Sequence, residues 1–314
     1  MSAEETLDLS LTTHADPAPL TAASGAAVQL LATCWTSAGD TAPDREDQTS
    51  PVPLAERVDA LRAAGFTGMD LVVDDLRALE RTAEGLEGLA LHLFASGVRH
   101  AQLELLGGWW EGPSADRDLL LTAAERCAEA GLEVQVKASP DLSAHPVDPS
   151  ATKDAWGALA DQCADVGASL VLEPVAFGQL APSADRGPSV EQGAAFVQAV
   201  GHPNGGLLVD VHQAVRGGST WASLAHAIDP AYLRAVELSD GPVQPPSDLS
   251  VPEEAMHARS LPGQGEWDLA GFVATMRERG FTGPWAVEMC SPSFRALPVR
   301  EALRRAAGAT LSVL

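Results

Sequence analysis

Lysine is nearly missing from this 314-residue chain: Lys137 and Lys153 are the only two, and almost all other basic residues are arginine. Lys and Arg together number 20 against 43 Asp and Glu, which gives a formal charge of −23 and a pI near 4.5. Such a surface repels phosphate backbones and anionic bilayers, so general affinity for nucleic acid or a charged membrane face is excluded, while a local basic pocket for an anion is not. Paired cysteines are lacking too. Cys34, Cys127, Cys163 and Cys290 are scattered with no CxxC, so the expectation is buried free thiols in a reducing cytosol rather than a disulfide framework. No segment approaches about 18 uninterrupted apolar residues, and MSAEETLDLS has neither a basic n-region nor an apolar h-region. A soluble, cytoplasmic protein is expected. The first helix lacks GxGxxG and no GxxxxGK[ST] occurs, so neither a dinucleotide nor a P-loop nucleotide site is indicated.

What is present is a large apolar content, 46% hydrophobic residues, organised as a repeat of apolar run, polar turn, amphipathic helix and glycine. Residues 1–27, rich in Ala, Ser, Thr, Pro and acids, show no period and read as a loosely ordered N-terminal extension. Eight runs from there read as strands: Val28 to Trp35, Gly68 to Val73, His100 to Leu106, Glu133 to Ala138, Ser169 to Val175, Gly206 to His212, Arg234 to Ser239 and Trp285 to Met289. Helical stretches such as PLAERVDALRAAG, DLLLTAAERCAEAG and LAGFVATMRERG lie between them, each ending on a glycine suited to a C-terminal cap. Length alone also allows two smaller domains, but eight alternating βα units predict one α/β domain, a closed (β/α)8 TIM barrel over residues 28–314. Its long loops follow the first, fifth and seventh strands (residues 36–52, 176–188 and 241–267), on the C-terminal face where barrel active sites are built. The last of them could close as a lid.

Four acids each sit at the end of one of these runs: Glu173 in SLVLEP, Asp210 in GLLVDVH, Glu237 in RAVELSD and Glu288 in PWAVEMC. One such acid is as readily a helix cap or an arginine partner. Four on consecutive strands would crowd one barrel mouth and repel one another, and a divalent cation resolves that repulsion. An all-oxygen set is hard ligation, which favours Mn²⁺ or Mg²⁺ as cofactor. Four carboxylates exceed one divalent ion by two charges, and Lys137, His212, Arg216, His257 and Arg259 are the groups near the strand ends that could balance them. Trp109 and Trp110, after the third strand, could stack on a sugar face or simply pack the barrel top. Asp70 and Glu104 could line the interior or pair with Arg.

The segments LEPVAF, VDVHQAVRGG, VELSDG, HARSLPGQGEWDLAGF and FTGPWAVEM resemble the xylose isomerase-like superfamily, the sugar phosphate isomerase/epimerase family of TIM barrels, over roughly residues 28 to 310. The resemblance implies metal ligation by Glu173, Asp210, Glu237 and Glu288, with Glu173 and Glu288 doubling as the proton-transfer pair and Arg259 of RSLPGQG contacting the ligand. Arg216 keeps the family's place after the sixth strand. Two positions depart from the pattern: Glu237 stands where His or Gln is usual, and Gln213 stands where a His is usual, with His212 one place earlier.

The chemistry implied is proton abstraction beside a carbonyl with a metal-stabilised enediolate. The expected protein is thus a metal-dependent isomerase or epimerase of a keto sugar or polyol, with Glu173, Glu288, His212 and Lys137 catalytic and Arg216, Arg259, His257 and Trp109 binding substrate. The alternatives are a lyase of the same superfamily, dehydroshikimate dehydratase-like or eliminating from a 3-keto sugar, and a non-catalytic ligand-binding barrel. A DNA-repair endonuclease on this fold would need a histidine-rich zinc cluster and a basic face, both lacking here. Self-association into a homo-oligomer stays open.

Overall fold

A computed structural model of the chain describes residues 20–22, 25, 27–140, 149–175 and 188–314. The expected extension lies mostly outside these residues, as does the loop expected after the fifth strand; of the former, Leu20–Thr21 pairs antiparallel with Ala27–Val28. Eight strands then close a barrel: β1 (Leu30–Ala32), β2 (Gly68–Val72), β3 (His100–Leu106), β4 (Glu133–Ala138), β5 (Ala168–Leu172), β6 (Gly205–Asp210), β7 (Leu233–Leu238) and β8 (Trp285–Val287). Every pairing between neighbours is parallel, and β8 joins β1 through Trp285↔Leu30 and Val287↔Ala32 to complete the ring.

Both faces of these strands are buried, which is why the sequence shows apolar runs rather than strict alternation. Outward residues such as Leu170, Val209, Val236 and Val287 join Phe272, Met276 and Leu303 from the surrounding helices in one continuous core. Inward residues form a second, small cluster of Val171, Leu208 and Ala235. Each of these three lies two residues before Glu173, Asp210 or Glu237, so strand periodicity puts the acids on the same inner face, one layer higher.

The strand ends differ from the sequence reading in ways that shape the site. The first strand stops at Ala32, and Cys34–Ser37 form a buried helical turn anchored where Thr36 Oγ1 donates to the Val287 carbonyl at 2.6 Å. The sixth strand stops at Asp210, whose side chain accepts from the His212 N–H at 2.9 Å and so caps a short helix, Val211–Arg216. An acid that caps a helix ends the strand at its own position.

The segment after β7 is tied down rather than open. Asp240 pairs with Ser260 by backbone bonds, and its carboxylate accepts the N–H groups of Gly241 (2.8 Å), Gly263 (3.0 Å) and Trp267 (3.2 Å). Gly265 must be glycine there, because a Cβ would lie 2.2 Å from Asp240 Oδ1. The LSDG and LPGQGEW segments are therefore two halves of one staple. All four cysteines are buried and free, and among the described residues no helix is long and apolar enough to cross a membrane.

Candidate active site

The four acids expected to converge do so. Glu173 and Glu288 sit one residue beyond β5 and β8, their N–H groups donating to the carbonyls of Ala138 (3.0 Å) and Leu238 (2.9 Å), while Asp210 ends β6 and Glu237 lies inside β7. One carboxylate oxygen from each lies within 4.8 Å of the others, and all four side chains are buried. Glu173 and Glu288 line a cavity of about 410 Å³ at this end of the barrel, with Lys137, Glu104, Arg259 and Gln213.

Two cations hold the acids together. Lys137 Nζ lies 2.7 Å from Glu104 Oε2, 3.0 Å from Glu173 Oε2, 3.0 Å from Glu237 Oε1 and 3.7 Å from Glu288 Oε1. Because β4 and β7 are not neighbours in the ring, the Lys137–Glu237 contact crosses the barrel interior. Arg259 Nη1 bridges Asp210 Oδ2 (2.9 Å) and Glu288 Oε2 (2.6 Å), and its Nε donates to the Ala255 carbonyl at 2.9 Å.

Burial and these two cations set the charge states. Burial pushes the Glu173 carboxyl up to about 8 against the opposing pull of Lys137. Burial likewise raises Glu237 well above the usual range. It would raise Glu288 as well, but Arg259 and Lys137 outweigh it and hold that carboxyl below its ordinary value. Burial disfavours charge on Lys137, and Glu104, Glu173, Glu237 and Glu288 overcome it, so the ammonium is held charged.

The donor set fits a divalent ion. Among the described residues Glu237 Oε2 is buried with no hydrogen-bond partner while Oε1 is taken by Lys137, and a buried carboxylate oxygen with no partner is costly unless a cation faces it. Among the described residues Lys137 and Arg259 are the Lys and Arg side chains that touch these four acids, and a divalent ion would favour the ionised form of those that burial alone raises.

Other expected residues lie elsewhere. His212, in the first turn of its helix, does not line the cavity: its Nε2 is 3.3 Å from Glu254 Oε2 and its ring meets Trp267 edge-on at 5.7 Å. Burial and then Arg259 lower its pKa. Gln213 takes the cavity wall instead. The strand ends before both residues, so helical rather than strand geometry decides which one faces in. Arg216 forks onto Glu254 (2.7 Å from Nη2 to Oε1) and donates to the Pro242 carbonyl at 2.8 Å, which makes it an anchor of the lid rather than a lining residue. His257 pairs with Asp44 at 3.0 Å, outside the cavity lining. Trp109 is core: its Nε1 donates to the Ser139 carbonyl at 2.5 Å and its ring packs edge-on against Trp110 and Trp156.

The sequence pattern of the xylose isomerase-like TIM barrel family matches residues 58–309. The chain belongs to that family. The 3-dehydroshikimate dehydratase of Pseudomonas aeruginosa is 27% identical over 256 residues, covering 79% of this chain and 38% of that protein. The enzyme of the same name from Pseudomonas putida is 26% identical, with the same coverage. The chain thus spans well under half the length of these curated relatives. Among solved structures, the IOLI protein with a bound zinc atom superposes with a TM-score of 0.71 at 21% identity, covering 91% of this chain and 98% of that one. D-Psicose 3-epimerase in the presence of D-fructose gives 0.59 at 13% identity, covering 83% and 92%. At these identities the structural likeness speaks for the fold alone.

Within this xylose isomerase-like barrel, several cavity residues carried no sequence signal. Trp35, in the turn after β1, Gln48 from the loop that follows, and Met256 from the lid helix Val251–His257 all line the cavity. Trp35 closes the AVQLLATCW run as the expected end of the first strand, a position on this face that could have marked it as a cavity residue. Gln48 and Met256 depend on how long loops fold back, which local pattern does not encode.

Proposed function

We propose that the chain is a divalent-metal-dependent enzyme that removes a proton beside a ketone of a small polyhydroxylated substrate and then expels a neighbouring hydroxyl as water. The observation that carries this reading is the ring of Glu173, Asp210, Glu237 and Glu288, with one buried Glu237 oxygen left without a partner among the described residues. These four residues would hold the ion, and Mn²⁺ or Mg²⁺ suits their all-oxygen set. A bound ion of this kind supplies Lewis acidity toward a substrate carbonyl oxygen.

The protein's own groups divide the proton work. Glu288, ionised beside Arg259 and Lys137, accepts the proton from the carbon next to the ketone, and the released electron pair moves into an enolate. Glu173, raised by burial, is the carboxyl that gives its proton to the departing hydroxyl as the carbon–oxygen bond breaks, so water and an unsaturated ketone leave together. Arg259 orients Glu288 through the 2.6 Å contact. Trp35 and Met256 narrow the cavity against bulk water. The dehydratase relatives favour elimination as the second half-reaction. Return of the proton on the same or the opposite face would make the enzyme an isomerase or epimerase, a second reading favoured by the presence of two glutamates, Glu173 and Glu288, in the lining of one cavity.

Metal analysis of protein purified without chelator should find close to one equivalent at the four-acid site, and Glu288→Gln should lose most of it. An unaltered metal content in Glu288→Gln would overturn the ligand assignment. Turnover of cyclic hydroxyketones in deuterated water separates the half-reactions: an unsaturated product marks the lyase, whereas deuterium in recovered substrate or its isomer marks the isomerase. No exchange and no product across such a panel would leave a ligand-binding barrel.

A further inference from the structure

Beside the four-acid ring, and parted from it by the Lys137 ammonium, lies a second set of ligand atoms that the proposed reaction does not use. Cys34 in the turn after β1, Asp70 on β2 and Glu104 on β3 each bring one donor atom, and these atoms lie within 4.8 Å of one another. Cys34 and Asp70 are 0% exposed and Glu104 is 3% exposed. Neighbouring strands and shared inward-facing periodicity bring them together, so the cluster is a product of the barrel itself.

Its internal bonding leaves one member unmet. Cys34 Sγ donates to Glu104 Oε1 at 2.6 Å, and Glu104 Oε2 takes the Lys137 ammonium at 2.7 Å. Among the described residues both carboxylate oxygens of Asp70 are buried and meet no donor group, and burial with the facing Glu104 carboxyl raises Asp70 well above its ordinary value. Its nearest carboxylate neighbour, Glu104, is of like sign, and Lys137 is already shared among four glutamates. A buried carboxylate in that position calls for a positive charge of its own.

The charge count points the same way. Asp70 and Glu104 add two carboxylates to the four at the ring, while among the described residues Lys137 and Arg259 are the Lys and Arg side chains in contact with these acids. One divalent ion at the ring leaves two carboxylate charges uncompensated, and the Cys34 thiolate formed on ligation would be a third, so a second divalent ion offsets most of what remains. We propose that Cys34, Asp70 and Glu104 form a second divalent-cation site, distinct from the four-acid ring and joined to it through Lys137. A thiolate with two carboxylates is softer than an all-oxygen set and suits Zn²⁺ or Co²⁺, so the two sites differ in the metals they prefer. Ligation replaces the S–H bond of Cys34 by a sulfur–metal bond and releases the proton to solvent. Glu104 lines the cavity, with Cys34 and Asp70 behind it, so the ion enters by the substrate's route. Seated there, it fixes Glu104 and through it the position of Lys137.

The test is equilibrium dialysis of the chelator-stripped full chain with Co²⁺, read with ultraviolet absorption for thiolate-to-cobalt charge transfer. The expected result is two equivalents of Co²⁺ and a charge-transfer band. Cys34→Ser and, independently, Asp70→Asn should each abolish the band and reduce binding from two equivalents to one. The double variant Asp210→Asn, Glu288→Gln should keep the band and lose the other equivalent. A single equivalent with no band, in a chain whose four-acid variants lose it, would mean that a proton shared by Asp70 and Glu104 relieves the crowding, and would overturn the second site without touching the first. A band that survives Cys34→Ser would overturn it as well.

Discussion

Lys137 is the residue on which both clusters depend. Its ammonium touches Glu104, Glu173, Glu237 and Glu288 while the side chain is 1% exposed. Removing one partner of a buried ion pair leaves the others uncompensated, typically at a cost of about 3–5 kcal/mol. Lys137→Met should therefore lose stability of that order in chelator, measured by urea unfolding, and should regain more of it than the unaltered protein does on adding Mn²⁺, because the ion then faces carboxylates no ammonium neutralises. Equal stability of the two proteins in chelator would contradict this role. At this scale the sequence was legible where a residue's position follows from strand alternation: the four acids, and Lys137 closing an apolar strand. It was not legible for Trp109, whose indole is committed to the Ser139 carbonyl, nor for the unpartnered state of Asp70. Those depend on contacts between strands, and one strand's pattern does not specify them.

Among elements, the lid is held by a polar clasp. Glu254, on the helix Val251–His257, meets Arg216 and His212 on the helix Val211–Arg216, so one short helix pins another over the cavity edge. Burial would raise the Glu254 carboxyl, but its bonds to His212 and Arg216 prevail and bring it from 4.5 to about 2. A carboxyl with a depressed folded-state pKa contributes stability that is present above its unfolded value and is lost as pH falls through its folded value. The shift corresponds to about 3 kcal/mol. Glu254→Gln should be destabilised by that order near neutrality, with the gap closing between pH 4.5 and about 2; equilibrium unfolding across this range measures it, and a gap that widens on acidification would count against the clasp. The expectation that His212 is catalytic and Arg216 binds substrate follows from their place just after Asp210 in the sixth-strand segment. The two bonds that claim them come from a segment some forty residues later, beyond the reach of local pattern.

At the scale of the whole molecule, the acids and Lys137 come from seven of the eight staves, β2 to β8 or the residue just beyond each, and Cys34 lies just after the remaining one, β1. An ion at this position is bonded to the barrel as a unit, so its binding energy becomes folding stability rather than the ordering of one loop. The closed eight-stranded ring was legible because the βα unit repeats eight times, and closure brings first and last strands together without further instruction. For one site, ligand at a hundred times its dissociation constant adds about 2.7 kcal/mol, and each further tenfold adds about 1.4 kcal/mol. Thermal melts of chelator-stripped protein with increasing Mn²⁺ should therefore shift upward by several degrees and continue to climb with the logarithm of metal concentration. Asp210→Asn, which removes a ligand and one partner of Arg259, should flatten that climb. A melting temperature that rises to a plateau with the first traces of metal, or does not rise at all, would show that the ion is not bonded to the barrel as a whole, and the four-acid ring would then be held by Lys137 and Arg259 alone.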